Sequence, residues 1–144
     1  MPDLHLTNRQ RGIAFAVPKI RSAWRAALPL CLELSGDRAR PLPELGEVDA
    51  YVLNDRRIAR MHADFLGDPA PTDVITFEHG EIFLGAETIA RHAREHGHSV
   101  DAELLLCLIH GLLHLNGFDD LDARRRQKMH RRQFQILEAV RGTL

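Results

Sequence analysis

A chain of 144 residues, 44% apolar and 27% charged, has material for one hydrophobic core and too little for two. Nineteen basic and twenty acidic side chains leave a net charge of −1, so global charge gives no argument for nucleic-acid binding and only a local basic patch could supply one. Two cysteines exclude a disulfide framework or a cysteine zinc site. No apolar run reaches the roughly 20 residues that span a bilayer. The polar stretch Met1 to Gln10 does not read as a signal peptide, so a cytoplasmic location is expected. Nine histidines are the unusual number.

In chain order, Asp3 to Thr7 alternates, with Leu4 and Leu6 on one side, and predicts a short edge strand. Pro18 opens a helix running to about Glu33, with Ile20, Trp24, Ala27 and Leu28 at helical spacing. Pro29 should kink that helix or end it early. Gly36 and the stretch Arg38 to Gly46 predict a loop, and Val48 to Leu53 a strand. Asn54 or Asp55 caps a helix carrying Ile58, Met61 and Phe65, which breaks at Gly67 to Pro71. Val74 to Phe77 and Glu81 to Leu84 predict two strands around a turn at His79-Gly80.

Ala86 to Glu95 is helical and stops near Gly97. Ser99 caps a strongly apolar helix, Val100 to Leu115, with Glu103 just inside it as in a capping box. Gly117 ends this helix, and Asp120 or Asp122 starts the last one, which runs to about Val140. The order β α β α β β α α α predicts one α+β domain over residues 1–144. It has a four-stranded mixed sheet covered by about five helices.

The segment His110 to Asp120, HGLLHLNGFDD, can carry chemistry. His110 and His114 lie one helical turn apart and project from one face. The helix is apolar on nearly all sides, so a polar ring within it needs a partner. Gly117 allows the chain to reverse and brings Asp119 and Asp120 back toward the rings. Two imidazoles, one carboxylate and a water complete a tetrahedral catalytic zinc site. The metal site is thus expected on a buried helix and the turn after it, with either aspartate as third ligand. Asp119 otherwise reads as a partner of a zinc ligand, a helper of the metal-activated water, or a cap of the last helix. The residue after the first histidine is Gly111, which removes the general base of an HExxH metalloprotease.

Three other features need weighing. His92 and His96 are also spaced four apart, but on a mixed-charge helix that reads as a solvated face. Thr72 and Asp73 read as residues that pin a turn into a strand. Arg124, Lys128, Arg131 and Arg132 fall near one face of the last helix. They read either as a solvated face or as a patch that tracks phosphates. No aromatic residues interleave with them, so base stacking there is not expected.

HGLLHLNGFDD resembles the signature of the YbeY-type family, HGxLHLxGxDH. The segment PTDVITF, Pro71 to Phe77, is similar to that family's PTDVLSF, and Gly80-Glu81-Ile82 to its GDI step. The likeness spans about Tyr51 to Leu137. The resemblance implies a zinc-dependent, single-strand-specific endoribonuclease of ribosomal RNA. It implies processing of the 16S 3′ end, one zinc per chain, and single-stranded RNA and the small ribosomal subunit as partners, with no membrane and no nucleotide cofactor. It also implies His110 and His114 as ligands. The family's third zinc histidine falls on Asp120, a substituted ligand that makes the site less positive and its bound water less readily ionised.

The family's cleavage-linked arginine falls on Leu66, with Arg56, Arg57 and Arg60 nearby as substitutes. The rival expectation is a ribosome-assembly or RNA-binding factor with a structural metal and little or no cleavage.

Overall fold

The computed structural model describes residues 1–68, 70–142 and 144. The apolar strand segments assemble into one sheet of order β1-β2-β4-β3. Its strands are β1 (Asp3–Asn8), β2 (Glu47–Leu53), β3 (Val74–Phe77) and β4 (Glu81–Gly85). β1, β2 and β4 run parallel, and the β3–β4 hairpin adds an antiparallel edge, so the sheet is mixed as expected. Leu4 stands opposite Val48, Ala50 opposite Ile82 and Val52 opposite Leu84, and all six are buried on one face.

Five α-helices surround the sheet: α1 (Val17–Leu32), α2 (Asp55–Leu66), α3 (Ala86–His96), α4 (Val100–Leu115) and α5 (Ala123–Val140). A 3-10 turn, Leu42–Glu44, precedes β2. Asn54, Ser99 and Asp122 cap α2, α4 and α5 by accepting from the backbone N–H of Arg57, Ala102 and Arg125. This settles the two open choices, Asn54 over Asp55 and Asp122 over Asp120. Of the two effects expected at Pro29, the early end does not occur: Pro29 lies inside α1, because the packing of Trp24, Ala27, Leu28 and Cys31 outweighs one missing backbone bond. One expectation is corrected. Glu103 does not act as a capping residue, since its carboxylate turns inward and is buried.

α4 is the central helix. Leu104 to Ile109 are all buried, and the Trp24 indole N–H donates across to the Leu108 carbonyl at 3.1 Å. Gly111 packs it onto the sheet, where a Cβ would stand 2.6 Å from Ile82 Cδ1. No single helix is long and apolar enough to cross a membrane.

The turn after α4 is clamped by the loop after α1. The buried Asn116 carboxamide donates to the Cys31 and Leu34 carbonyls at 2.6 and 2.7 Å and accepts from Arg40 Nε at 3.1 Å. Gly36 N–H donates to Asn116 O, and Arg38 N–H to Gly117 O. A Cβ on Gly36 would lie 2.0 Å from the Gly117 carbonyl carbon, backbone against backbone. Gly117 itself sits at φ 94, a region that side chains disfavour.

Gly36→Ala should therefore cost about 3 kcal/mol or more, since neither backbone can yield without releasing the turn. Gly46→Ala, which meets nothing within 4 Å, should stay within about 0.5 kcal/mol. Urea unfolding of the two variants checks this, and equal losses would remove the close approach as the cause.

Candidate metal centre

Along α4, Glu103, Cys107, His110 and His114 follow the spacing i, i+4, i+7, i+11 and form one polar stripe on an otherwise apolar helix. His110 and His114 stand with ring centroids 4.6 Å apart and planes at 86°. His110 Nδ1 lies 2.7 Å from Gln133 Oε1, and His114 Nδ1 lies 3.0 Å from the Phe118 carbonyl. Both partner atoms are acceptors, so each Nδ1 carries the proton and each Nε2 keeps a free lone pair. Burial, with His114 beside it, holds His110 below the ordinary imidazole range, which keeps the ring neutral and able to bind a metal.

The clamped turn then delivers the aspartates. Asp120 is exposed and joins the histidines: one ligand atom from each of His110, His114 and Asp120 lies within 4.8 Å of the others. Asp119 is buried and bound elsewhere. It accepts from Leu121 N–H at 3.1 Å and from Arg125 Nη1 at 3.5 Å, and Arg38 Nη1 stands 3.9 Å away. Two imidazoles with free Nε2 atoms and one exposed carboxyl fit a divalent ion of the zinc class. Cys107 does not add a ligand in its resting form. Burial first, and then Asp73 and Glu103, push its thiol well above its ordinary range and keep it protonated.

The three groups open into a cleft of about 450 Å³. Its far wall is Thr72, Asp73, Val74 and Thr76, from the segment similar to the PTDV motif. Asp73 turns its carboxyl to the His92 and Cys107 side chains rather than to the backbone of the turn. Its carboxyl meets His92 Nδ1 at 3.3 Å. Thr76 Oγ1 is buried with no hydrogen-bond partner among the described residues.

The cleft also holds a cation that sequence reasoning missed. Arg38, from the loop after α1, lines it and is half exposed. Its distance of 72 positions from His110 left no local signal. Gln133 was also missed, although a polar residue among the buried Met129, Ile136 and Leu137 is itself a signal.

The basic residues of α5 stand apart from the cleft. Arg124 and Arg131 are exposed. Lys128 reaches toward Asp37 at 3.9 Å and over the Phe118 ring, and Arg132 toward Gln135 at 3.3 Å. None of the four lines the cleft. Leu66 is 58% exposed at the end of α2 and does not line it either. Arg57 and Arg60 border a different shallow groove. His92 and His96 are both partly exposed, as expected, and their rings also bond Asp73 and Glu103.

Comparison with known proteins gives the family. The family model described as endoribonuclease YbeY matches residues 5–141. An endoribonuclease YbeY of Heliobacterium modesticaldum is 29% identical, over 94% of this chain and 93% of its own. That of Chloroherpeton thalassium is 32% identical, over 76% and 79%. The solution structure of a Thermotoga maritima protein superposes with a TM-score of 0.63 at 26% identity, covering 96% of this chain and 89% of that one. With a match across nearly the whole chain, this protein belongs to the YbeY endoribonuclease family of hydrolases acting on RNA.

Proposed function

We propose that the protein is a zinc-dependent, single-strand-specific endoribonuclease of ribosomal RNA, acting at the 16S 3′ end with the small ribosomal subunit in the cytoplasm. The observation that carries the metal part is the convergence of His110, His114 and Asp120 with both Nδ1 atoms already engaged. The ribosomal substrate and its site rest on the family resemblance.

His110, His114 and Asp120 would hold one zinc per chain. Zinc bound there supplies Lewis acidity toward a phosphodiester oxygen and a nucleophile from water at neutral pH. Gln133 Oε1 and the Phe118 carbonyl fix the two rings in the ligating tautomer. Arg38 offers a guanidinium for a phosphate, the role that position 66 cannot fill as leucine. Asp119 braces the turn rather than serving the water, through Leu121 N–H and Arg125. Arg124 and Arg131 extend an electrostatic track for the strand outside the cleft.

A rival reading, an assembly factor that binds RNA without cutting it, is favoured by Leu66. Turnover of labelled single-stranded RNA with and without chelator separates the two, and RNA binding without chelator-sensitive cleavage would select the rival.

Two outcomes are expected at the ligands. His110→Ala with His114→Ala should remove the zinc of this site, and Asp120→Ala should weaken it about tenfold or more. Asp120→His should keep it. Asp119→Ala should retain zinc and lower stability instead. Metal analysis of the purified variants decides, and a site emptied by Asp119→Ala alone would shift the register by one residue.

Outside the cleft, replacing Arg124, Lys128 and Arg131 together should flatten the log–log salt dependence of single-strand binding by about two. Arg38→Ala should instead slow cleavage about tenfold or more with zinc content unchanged. An unchanged salt slope would return the α5 residues to a solvated face, and undiminished cleavage by Arg38→Ala would remove its assigned role.

A further inference from the structure

Two turns before His110, α4 carries another polar station. Glu103 is 2% exposed, and its Oε1 lies 2.6 Å from His96 Nδ1 and 2.6 Å from His98 Nε2. His96 ends α3, Gly97 reverses the chain at φ 70, and His98 leads into α4. The reversal wraps both rings onto one carboxylate oxygen. The three ligand atoms lie within 4.8 Å of one another. His96 and Glu103 face a groove of about 330 Å³ that adjoins the metal cleft and shares Asp73, His110 and Asp120 with it.

We infer that His96, His98 and Glu103 form a second binding site for a zinc-class divalent cation, separate from the site of His110, His114 and Asp120. Two imidazoles and one carboxylate are a donor set that binds zinc and leaves a fourth position open. The buried Glu103 oxygen already gathers two imidazole nitrogens at hydrogen-bond distance, and a divalent ion would take the place of the protons between them. The geometry is close to what binding requires. Bonds of about 2.0–2.2 Å place tetrahedral ligands about 3.3 Å apart. Each ring nitrogen must therefore release to solvent the proton that bonds it to Glu103 Oε1 and retreat by well under 1 Å, and the His96 side chain is 44% exposed.

The spacing also defines what the site is for. Glu103 and His110 are seven residues apart on one helix, a rise of about 10 Å. Two ions that clamp one reacting phosphate stand about 3.5–4 Å apart. The second ion is therefore no partner in bond breaking. It is a fixed positive charge further along the same groove, which Asp73 and Glu95 would otherwise leave acidic.

The test uses the full chain and zinc alone. Protein is mixed with excess Zn²⁺, freed of unbound metal by gel filtration, and its zinc per chain is measured. Wild type should hold two zinc ions, His110→Ala/His114→Ala one, His96→Gln one, and the triple variant none. Zinc should raise the melting temperature of His110→Ala/His114→Ala and leave that of the triple variant unmoved. His96→Gln alters an exposed ring, so its fold is expected to survive, and circular dichroism checks it. A natively folded His110→Ala/His114→Ala variant that holds no zinc and does not gain in melting temperature overturns the inference and leaves the first site standing. A single zinc in wild type that survives His110→Ala/His114→Ala and is lost in His96→Gln supports the inference and sinks the first site instead.

Discussion

Asn116 lies fully buried between α1 and the end of α4, and its carboxamide is bonded at both ends. Without it the Leu34 carbonyl would lose its partner at a cost on the order of 1–3 kcal/mol, while the Cys31 carbonyl would keep the Leu34 N–H. That carboxamide locks the loop after α1 onto the turn after α4 and leaves the backbones of Gly36 and Gly117 in contact. The consequences run in both directions. The turn aims Asp120 at the histidines and brings the Phe118 carbonyl to His114, while the loop carries Arg38 to the rim of the same cleft. The site's candidate ligands and its cation are thus positioned by one contact between segments about 80 residues apart.

The elements were largely legible because their signals are local. Period-two alternation marked β1, and the caps at Ser99 and Asp122 are short-range hydrogen bonds. The spacing of His110 and His114, with Gly117 after them, was enough to bring Asp120 into the candidate set. What stayed hidden depends on distant contacts. Nothing near Arg38 in sequence indicates a cleft, and nothing near Asn116 indicates that it bridges two helices. Pro29 shows the converse, where a strong local signal for a break yields to burial of the helix around it. The four basic residues of α5 share a sequence spacing but not an environment, because Lys128 leans toward Asp37 and the Phe118 ring.

Charge in the cleft has a clear bias. Asp73, Glu78, Asp119 and Asp120 line it against Arg38 as its single arginine or lysine among the described residues. A phosphodiester entering that space meets more negative than positive groups. Burial of Asp119 among Arg125, Arg38 and a backbone N–H offsets one of the four. A divalent ion held by His110, His114 and Asp120 would be the natural complement to the remainder. Metal in this arrangement would ease the entry of a phosphodiester as well as act on it.

Gly111 places a boundary on how this scaffold can diverge. The position after the first histidine faces Ile82 and the buried Thr76 hydroxyl of the sheet. A glutamate base there, the step toward peptide hydrolysis, would have to enter the closed space between helix and strand and be buried against a single threonine hydroxyl. Carving room by shrinking Ile82 would hollow the layer that holds α4 against β4. The route from this helix to the chemistry of HExxH enzymes is therefore closed by packing before it is closed by catalysis. New activities on this fold have to come from the rim, where Arg38 and Asp120 sit on loops that can change without disturbing the core.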